Sequence, residues 1–466
     1  MDHTSMIASY LKKAREAQKQ IEHYTQEQID LVCVAIGWEV YEDENIKKLA
    51  ELAVASTKMG NVPDKITKHK NKVLGVLRDI QQAKSVGLIE EDKDKKIKKY
   101  AKPVGVVGAL TPVTNPTATP ASNAITILKG RNAVIFAPHP KAKDASLLAV
   151  TFMRQGLKKV GAPEDLIQII EEPSIELTNE LMKQVDVVLA TGGGPMVKAA
   201  YSSGKPAYGV GPGNAVSIVA EDANVKDAAA KIFTSKAFDF ATSCSSENSV
   251  IIHTSIYDSF ISELVALGSH LIQHEREQLE KHMWITNSKG YRSINPAIVA
   301  QSALTIAKDA GIDVPSKTKV LLVEGHHAIE SDLFSQEKLS PVLTVFQYDS
   351  FDEGYRILER LTNHYGTGHS CGIHTFNPLY VERLGVNMKT SRIMVNQPQA
   401  AGNGGAFFNG MPSTVSLGCG SWGGNITTEN INYKHFLNIT WVSEYFEPKR
   451  PSDEDIFGAY FKRVKP

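Results

Sequence analysis

Apolar side chains in the first eighty residues recur at helical spacing. MIASYLKKAREAQKQIEHY repeats them every three or four positions. In TQEQ, Thr25 and Gln28 stand at the spacing of a capping box, just ahead of the apolar-rich IDLVCVAIGWEVYED. SVGLIEED and KIKKYAKPVGVVG then alternate like two extended segments with a charged turn between them. From residue 103 the pattern changes to short apolar runs separated by amphipathic stretches. VGVVGAL, NAVIFAPHP, LIQIIEEP, VDVVLATGGG and AVSIVAED read as strands, with NPTATPASNAITILKG, DASLLAVTFMRQGLKKVG, SIELTNELMKQ and PMVKAAYSSG as helices between them. Strands buried on both faces and joined by helices of this length predict a parallel, doubly wound α/β sheet. A second α/β region follows, with strands expected at SVIIH, KVLLVE, LTVFQY, CGIHTF and RIMVNQP. A last strand, in YKHFLNITWVSEYF, lies far from the others in sequence.

Composition narrows the class. Of 466 residues, 42% are hydrophobic and 22% charged, an ordinary globular balance. Basic and acidic residues number 51 each, so no global charge recruits nucleic acid or an anionic membrane. The dense basic run DKDKKIKKYAK reads as a solvated face. No stretch has the ~20 consecutive apolar residues of a membrane span, and MDHTSMIASYLKKAREAQKQ lacks the uninterrupted apolar stretch expected of a signal peptide. Four cysteines without CxxC spacing are too few for a disulfide framework, which predicts a reducing, cytoplasmic setting.

Candidate chemistry centres on FDFATSCSSENSVIIH. Cys244 sits there among serines and a threonine, directly before an apolar run. It reads either as a packed thiol at the mouth of a strand or as a nucleophile that needs help to ionise. TGGGPMVKAAYSSG is strand, glycine turn and helix, an arrangement that lets backbone N–H groups approach a phosphate, although it is not GxGxxG. Thr114 and Asn115 in LTPVTNPTATP stand at a strand end, where a side-chain amide either helps to hold an oxyanion or caps the next helix. Gly209, Val210 and Gly211 offer neither acid nor base. His270 and His274, four apart in SHLIQHERE, read as a solvated helix face, and no third ligand makes them a metal site. His369, Cys371 and His374 in GHSCGIHT lie along an apparent strand, and Cys33 reads as core.

Taken together, these pieces resemble the aldehyde dehydrogenases of the CoA-acylating branch over nearly the whole chain. The resemblance rests on KPVGVVGALTPVTNPTATP, APHPKAK, ATGGGPMVKAAYSSGKPAYGVGPGN, SCSSENSVI, EKLSPVL, GHSCGIHT, VNQP and LGCGSWGGN in this order. It implies a cofactor-binding domain (1–85 and 105–213), a catalytic domain (214–412), and oligomerisation strands with a tail (86–104 and 425–466). A homodimer or homotetramer is expected. Cys244 would attack an aldehyde to give a thiohemiacetal, and loss of hydride to NAD(P) would leave a thioester. The Cys244 backbone N–H and a side chain, Asn115 or alternatively Thr114, would hold the oxyanion. Hydrolytic relatives place a glutamate where this chain has Gly209, Val210 and Gly211. Without that base, water attack should be slow and the thiol of CoA should release the acyl group.

The same resemblance matches Glu337 to the glutamate on the nicotinamide ribose, and Thr191, Gly192, Gly193 and Gly211 to turns near the cofactor. It implies cofactor contact or packing for His369. Around the adenosine ribose, Pro138, His139 and Pro140 replace the usual lysine and glutamate. With the acid gone and Lys141 and Lys143 near, NADP is favoured over NAD. GNVPDK, DFATSCSSENS and AAGNGGAFFNG look most like the enzymes acting on sulfoacetaldehyde, with succinate semialdehyde and acetaldehyde as alternatives. An anionic substrate needs donors, which Gln397, Gln399, Asn403 and Arg392 offer. Competing readings are an acyl-phosphate reductase of the same fold, a non-catalytic nucleotide-binding scaffold, and a cysteine hydrolase.

Overall fold

The computed structural model describes residues 2–286, 290 and 292–464. The opening helix His3–Ile21 starts at Asp2, whose side chain accepts from the Ser5 N–H, and it buries Ile7, Leu11, Ala14, Ala17 and Ile21 along one stripe. Thr25 and Gln28 form the expected capping box ahead of the helix Gln26–Tyr41. Two more helices follow, Asp43–Thr57 and Val62–Ile80.

The antiparallel hairpin of β1 (Gly87–Asp92) and β2 (Ile97–Pro103) then leads into a five-stranded parallel sheet. Its members are β3 (Val106–Thr111), β4 (Ala133–Pro138), β5 (Ile167–Ile169), β6 (Val187–Thr191) and β7 (Ala207–Val210). They lie in the order β5-β4-β3-β6-β7. Every residue of β3 and β4 is buried, which is why these strands read as continuous apolar runs in the sequence. The helix Lys143–Lys159 crosses the helix Gln26–Tyr41 closely at Gly156, where a Cβ would stand 2.7 Å from the Ala35 carbonyl oxygen.

The next strands are β8 (Ala215–Val219), β9 (Glu247–His253), β10 (Ser269–Ile272), the hairpin β11 (Trp284–Thr286) and β12 (Arg292–Ile294), β13 (Val320–Glu324), β14 (Val342–Tyr348), β15 (Cys371–His374) and β16 (Ile393–Val395). Seven of them form a parallel sheet in the order β10-β13-β14-β9-β8-β15-β16. Finally β17 (Leu437–Ser443) pairs antiparallel with β2, from Leu437 opposite Pro103 to Ser443 opposite Ile97. The α/β architecture expected from the sequence is present.

One expectation is corrected. His270 lies on β10, paired in register with Leu321 of β13, and His274 lies just beyond the strand, so the pair does not share a helix face. Gly268, at φ 115°, ends the preceding helix Tyr257–Leu267, and the apolar run after it joins the sheet edge. Among the described residues no helix is long and apolar enough to cross a membrane.

Candidate active site

Both parallel sheets contribute to the site. Loops from the C-terminal ends of β3 and β6 and segments leading into β9, β14 and β15 supply the residues of the site, with Gly211 to Asn214 as the link between β7 and β8. In the first sheet β3 lies between β4 and β6, so connections leave it in both directions and open a crevice at its C-terminal end, where such sheets bind ligands. Thr114 and Asn115 follow β3, and the Gly192–Gly193 turn follows β6. From the other side come Cys244 before β9, Glu337 before β14 and His369 before β15.

Cys244 is half-buried, whereas Cys33, Cys371 and Cys419 are buried. Its Sγ lies 3.2 Å from His369 Nε2, and His369 Nδ1 lies 2.9 Å from Ser370 Oγ. Gly213 permits this contact: a Cβ there would stand 2.4 Å from the Cys244 carbonyl oxygen and 3.0 Å from the His369 ring. Burial, reinforced by Glu337 and Cys419, pushes the Cys244 thiol up to about 12. Burial, aided by Arg392, pushes His369 down to about 3, so its ring is neutral. Burial raises Glu337 to about 8, against a hydrogen bond from the Gly213 N–H and the charge of Lys236. The free site therefore holds Cys244 as a thiol with a neutral histidine beside it.

This state has a measurable consequence. A thiolate fraction set by a pKa near 12 grows about tenfold per pH unit across the accessible range. Alkylation of Cys244 by iodoacetamide in the ligand-free protein is expected to climb from pH 7 to 10 without levelling. An exposed thiol would level near its ordinary pKa of about 8.5. Mass-spectrometric labelling at Cys244 reads the rate, and a plateau by pH 9 would contradict the burial argument.

The backbone leading to Cys244 is held in an unusual shape. Asp239, Phe240 and Ala241 have φ of 49°, 51° and 57°, three consecutive left-handed residues with no glycine among them. The fully buried Asp239 carboxylate anchors them. It takes Lys68 Nζ at 2.6 Å, Lys65 Nζ at 3.1 Å, the Asn61 N–H at 3.2 Å and Thr242 Oγ1 at 2.5 Å. Lys68 also donates to Asn115 Oδ1 at 3.0 Å. That contact orients the amide so that its Nδ2 donor remains available, as an oxyanion site requires. Thr114 accepts through its backbone oxygen from Lys65 at 3.3 Å.

The remaining sequence-derived candidates fall into three places. Thr191 Oγ1 lies 2.8 Å from Ser416 Oγ. Beside it the helix Gly194–Tyr201 begins with no side-chain cap, and added Cβ atoms at Gly194 and Gly211 would meet open space. A cleft of about 370 Å³ runs along this helix, lined by Gly194, Val197, Lys198, Tyr201, Gly211 and Pro212. His139 follows β4, its Nδ1 accepting from the Lys141 N–H at 3.2 Å, while Lys143 pairs with Glu172. In the loop after β16, Gln397 Oε1 accepts from Asn409 at 2.7 Å, and buried Asn403 donates to the Gln399 carbonyl at 3.1 Å. The guanidinium of Arg392 is buried against carbonyl oxygens of His369 and Gly418, at 3.1 and 2.7 Å, and Asn430 Oδ1 at 3.1 Å. Arg392 thus braces the backbone behind His369.

The aldehyde dehydrogenase family model matches residues 3–425. The chain belongs to the aldehyde dehydrogenase family. This dehydrogenase is 76% identical over 460 residues to a sulfoacetaldehyde dehydrogenase of an Acholeplasma species, covering 99% of this chain and 95% of the relative. It is 57% identical to the acylating sulfoacetaldehyde dehydrogenase of Bilophila wadsworthia, covering 98% and 99%. An acetylating aldehyde dehydrogenase from Geobacillus thermoglucosidasius superposes with a TM-score of 0.92 at 36% identity, covering 97% and 98%. These likenesses place the dehydrogenase in the acylating branch, whose members use NAD(P) and CoA. The uncapped helix end, the open glycines and the crevice beyond β3 and β6 fit a dinucleotide.

Proposed function

We propose that this dehydrogenase oxidises sulfoacetaldehyde to sulfoacetyl-CoA. The observation that carries the substrate is the 76% identity over nearly full length to an enzyme named for it. Cys244 Sγ attacks the aldehyde carbon as its S–H proton passes to the Glu337 carboxylate, which binds one near neutral pH, and the carbonyl oxygen becomes an oxyanion held by the Cys244 backbone N–H and Asn115 Nδ2, with Thr114 adjacent. Lys68 keeps the Asn115 amide turned for that task. Bound NAD(P)+ supplies the hydride acceptor that converts the thiohemiacetal into a thioester on Cys244.

Release of the acyl group needs a nucleophile. The turn at Gly209, Val210 and Gly211 carries no carboxylate to activate water, so the thiol of CoA attacks instead. Neutral His369, 3.2 Å from Cys244 Sγ, is placed to accept a hydrogen bond from an incoming thiol and to steer it. Its low basicity makes it a poor lasting home for a proton, whereas Glu337, raised to about 8, binds one near neutral pH. Thr191, Gly192, Gly193, Gly211 and Glu337 would hold the nicotinamide half of the cofactor and its phosphates. Pro138, His139 and Pro140 would face the adenosine ribose. No carboxylate stands among residues 138–141, and Lys141 has no acidic partner among the described residues, which favours NADP. Gln397 and Asn403 would border the substrate, with Arg392 behind them. In this reading residues 1–85 and 105–213 bind cofactor, 214–412 carry the chemistry, and 86–104 with 425–466 join subunits into a homodimer or homotetramer in the cytoplasm. The exposed Trp441 and Val442 on β17 support an interface there.

Absorbance of reduced nicotinamide tests this. Sulfoacetaldehyde is expected to give sustained turnover only with CoA present, faster with NADP than with NAD, and faster than succinate semialdehyde or acetaldehyde. Equal sustained turnover without CoA would defeat the acylating mechanism, and a faster alternative aldehyde would defeat the substrate.

A further inference from the structure

Three lysines of the helix Val62–Ile80 reach segments around the nucleophile: Lys65 the Thr114 carbonyl, Lys68 Asn115 and Thr242, and Lys72 the Gly404 loop. Lys65, Lys68 and Lys72 are spaced three and four apart, so they share one helix face. The acids near them are already committed. Asp239 is shared by Lys65 and Lys68, Asp64 accepts from the Asn61 side chain and the Asp239 N–H, and Asp79 pairs with Arg78 and accepts from the Ser413 N–H. Among the described residues Lys72 pairs with no carboxylate. Its Nζ donates instead to the Gly404 and Gly405 carbonyls, at 2.7 and 3.4 Å. Gly404 makes the seat possible, because a Cβ there would stand 2.5 Å from Lys72 Nζ.

Lys72 lies one turn beyond Lys68, whose Nζ reaches Asn115 and Thr242, two residues before Cys244, and its own Nζ is held by the loop directly after Asn403 while the side chain keeps accessible surface. It therefore stands between the segment that leads to Cys244 and the loop that carries Asn403. Burial, followed by the repulsion of Lys68, pushes its ammonium down to about 8. An enclosed cation without a counter-ion is costly, and an anion that completes the pair removes the cost. The Gly404 loop offers carbonyls but no acid, and Asp79, whose charge favours the ammonium from a distance, is held by Arg78 and the Ser413 N–H, so an anion brought by a ligand would complete the pair.

We propose that Lys72 receives the anionic headgroup of the aldehyde and is the residue that selects charged over neutral substrates. The proposal rests on the acylating reading of the Cys244 site. Sulfonate and carboxylate share the required chemistry, a compact oxyanion one or two carbons from the reacting carbonyl.

The experiment compares wild type, Lys72→Met and Lys72→Arg on sulfoacetaldehyde, succinate semialdehyde and propanal, each with CoA and NADP. A hydrogen bond between charged groups is worth about 1.5–3 kcal/mol, so Lys72→Met is expected to lose about 10- to 100-fold in kcat/KM on sulfoacetaldehyde. Propanal should stay within about threefold, which also shows that the variant folds. Lys72→Arg should recover part of the loss. A loss confined to succinate semialdehyde would keep Lys72 as the anion receptor but overturn sulfonate as its ligand. Equal losses on all three aldehydes would make Lys72 a prop for the Gly404 loop and overturn the proposal. A wild-type preference for the anionic aldehydes that survives in Lys72→Met would overturn it and leave the proposed substrate standing. A wild type with no such preference would overturn both.

Discussion

Cys244→Ala is expected to reduce acyl-CoA formation by at least about ten-thousand-fold, because removing a nucleophile removes the covalent route itself. Nothing near Cys244 can take over. His369 Nε2 is 3.2 Å away, but a neutral ring pushed down to about 3 is a weak nucleophile, and the other three cysteines are buried. Folding and cofactor affinity should be unaffected, since the thiol is half-buried and its removal leaves the crevice wall intact. Turnover assays with fluorescence titration of NADPH check both parts. Residual activity above about one per cent with cofactor affinity intact would show that the thioester is not an obligatory intermediate.

Gly213→Ala should come second in size. The added methyl would overlap the Cys244 carbonyl oxygen at 2.4 Å and press on the His369 ring at 3.0 Å, so nucleophile and histidine must separate. Misplacement of reacting groups by about 1 Å costs on the order of 100-fold, and kcat/KM is expected to fall by at least that. The crowding should lower stability by only about 1–3 kcal/mol, the usual cost of overpacking. Steady-state kinetics beside a urea-denaturation midpoint separates the two effects. Full activity in Gly213→Ala would mean that the 3.2 Å thiol–imidazole contact does not matter to turnover.

The sequence made the sheets legible because their strands are buried on both faces. VGVVGAL and NAVIFAP became β3 and β4, and the N-terminal capping box was readable from two residues. The family resemblance carried the branch and the nucleophile. What stayed hidden was anything produced by contacts distant in sequence. Nothing in YGVGPGNA sets Gly213 apart from the glycines before it, although its role is to clear space for residues 31 and 156 positions further on. His369 touches Cys244 across 125 positions. The left-handed run at Asp239, Phe240 and Ala241 has no glycine to announce it, and its anchors lie more than 170 positions upstream, at Lys65 and Lys68. SHLIQHERE misled because two histidines four apart carry the same spacing whether or not the glycine before them has ended the helix.

The pairing of β17 with β2 also bears on how the chain is made. Pro103 emerges from the ribosome 334 residues before its partner Leu437. Throughout that interval the outer rim of β2 is bare while both sheets are being synthesised. Open strand rims recruit foreign strands, and proteins blunt them with lysine. IKKYAK carries three lysines, Lys98, Lys99 and Lys102, and in the folded chain Lys98 pairs with Glu444, just beyond β17. The basic run DKDKKIKKYAK thus holds the lysines that edge a strand whose last partner arrives only near the end of the chain.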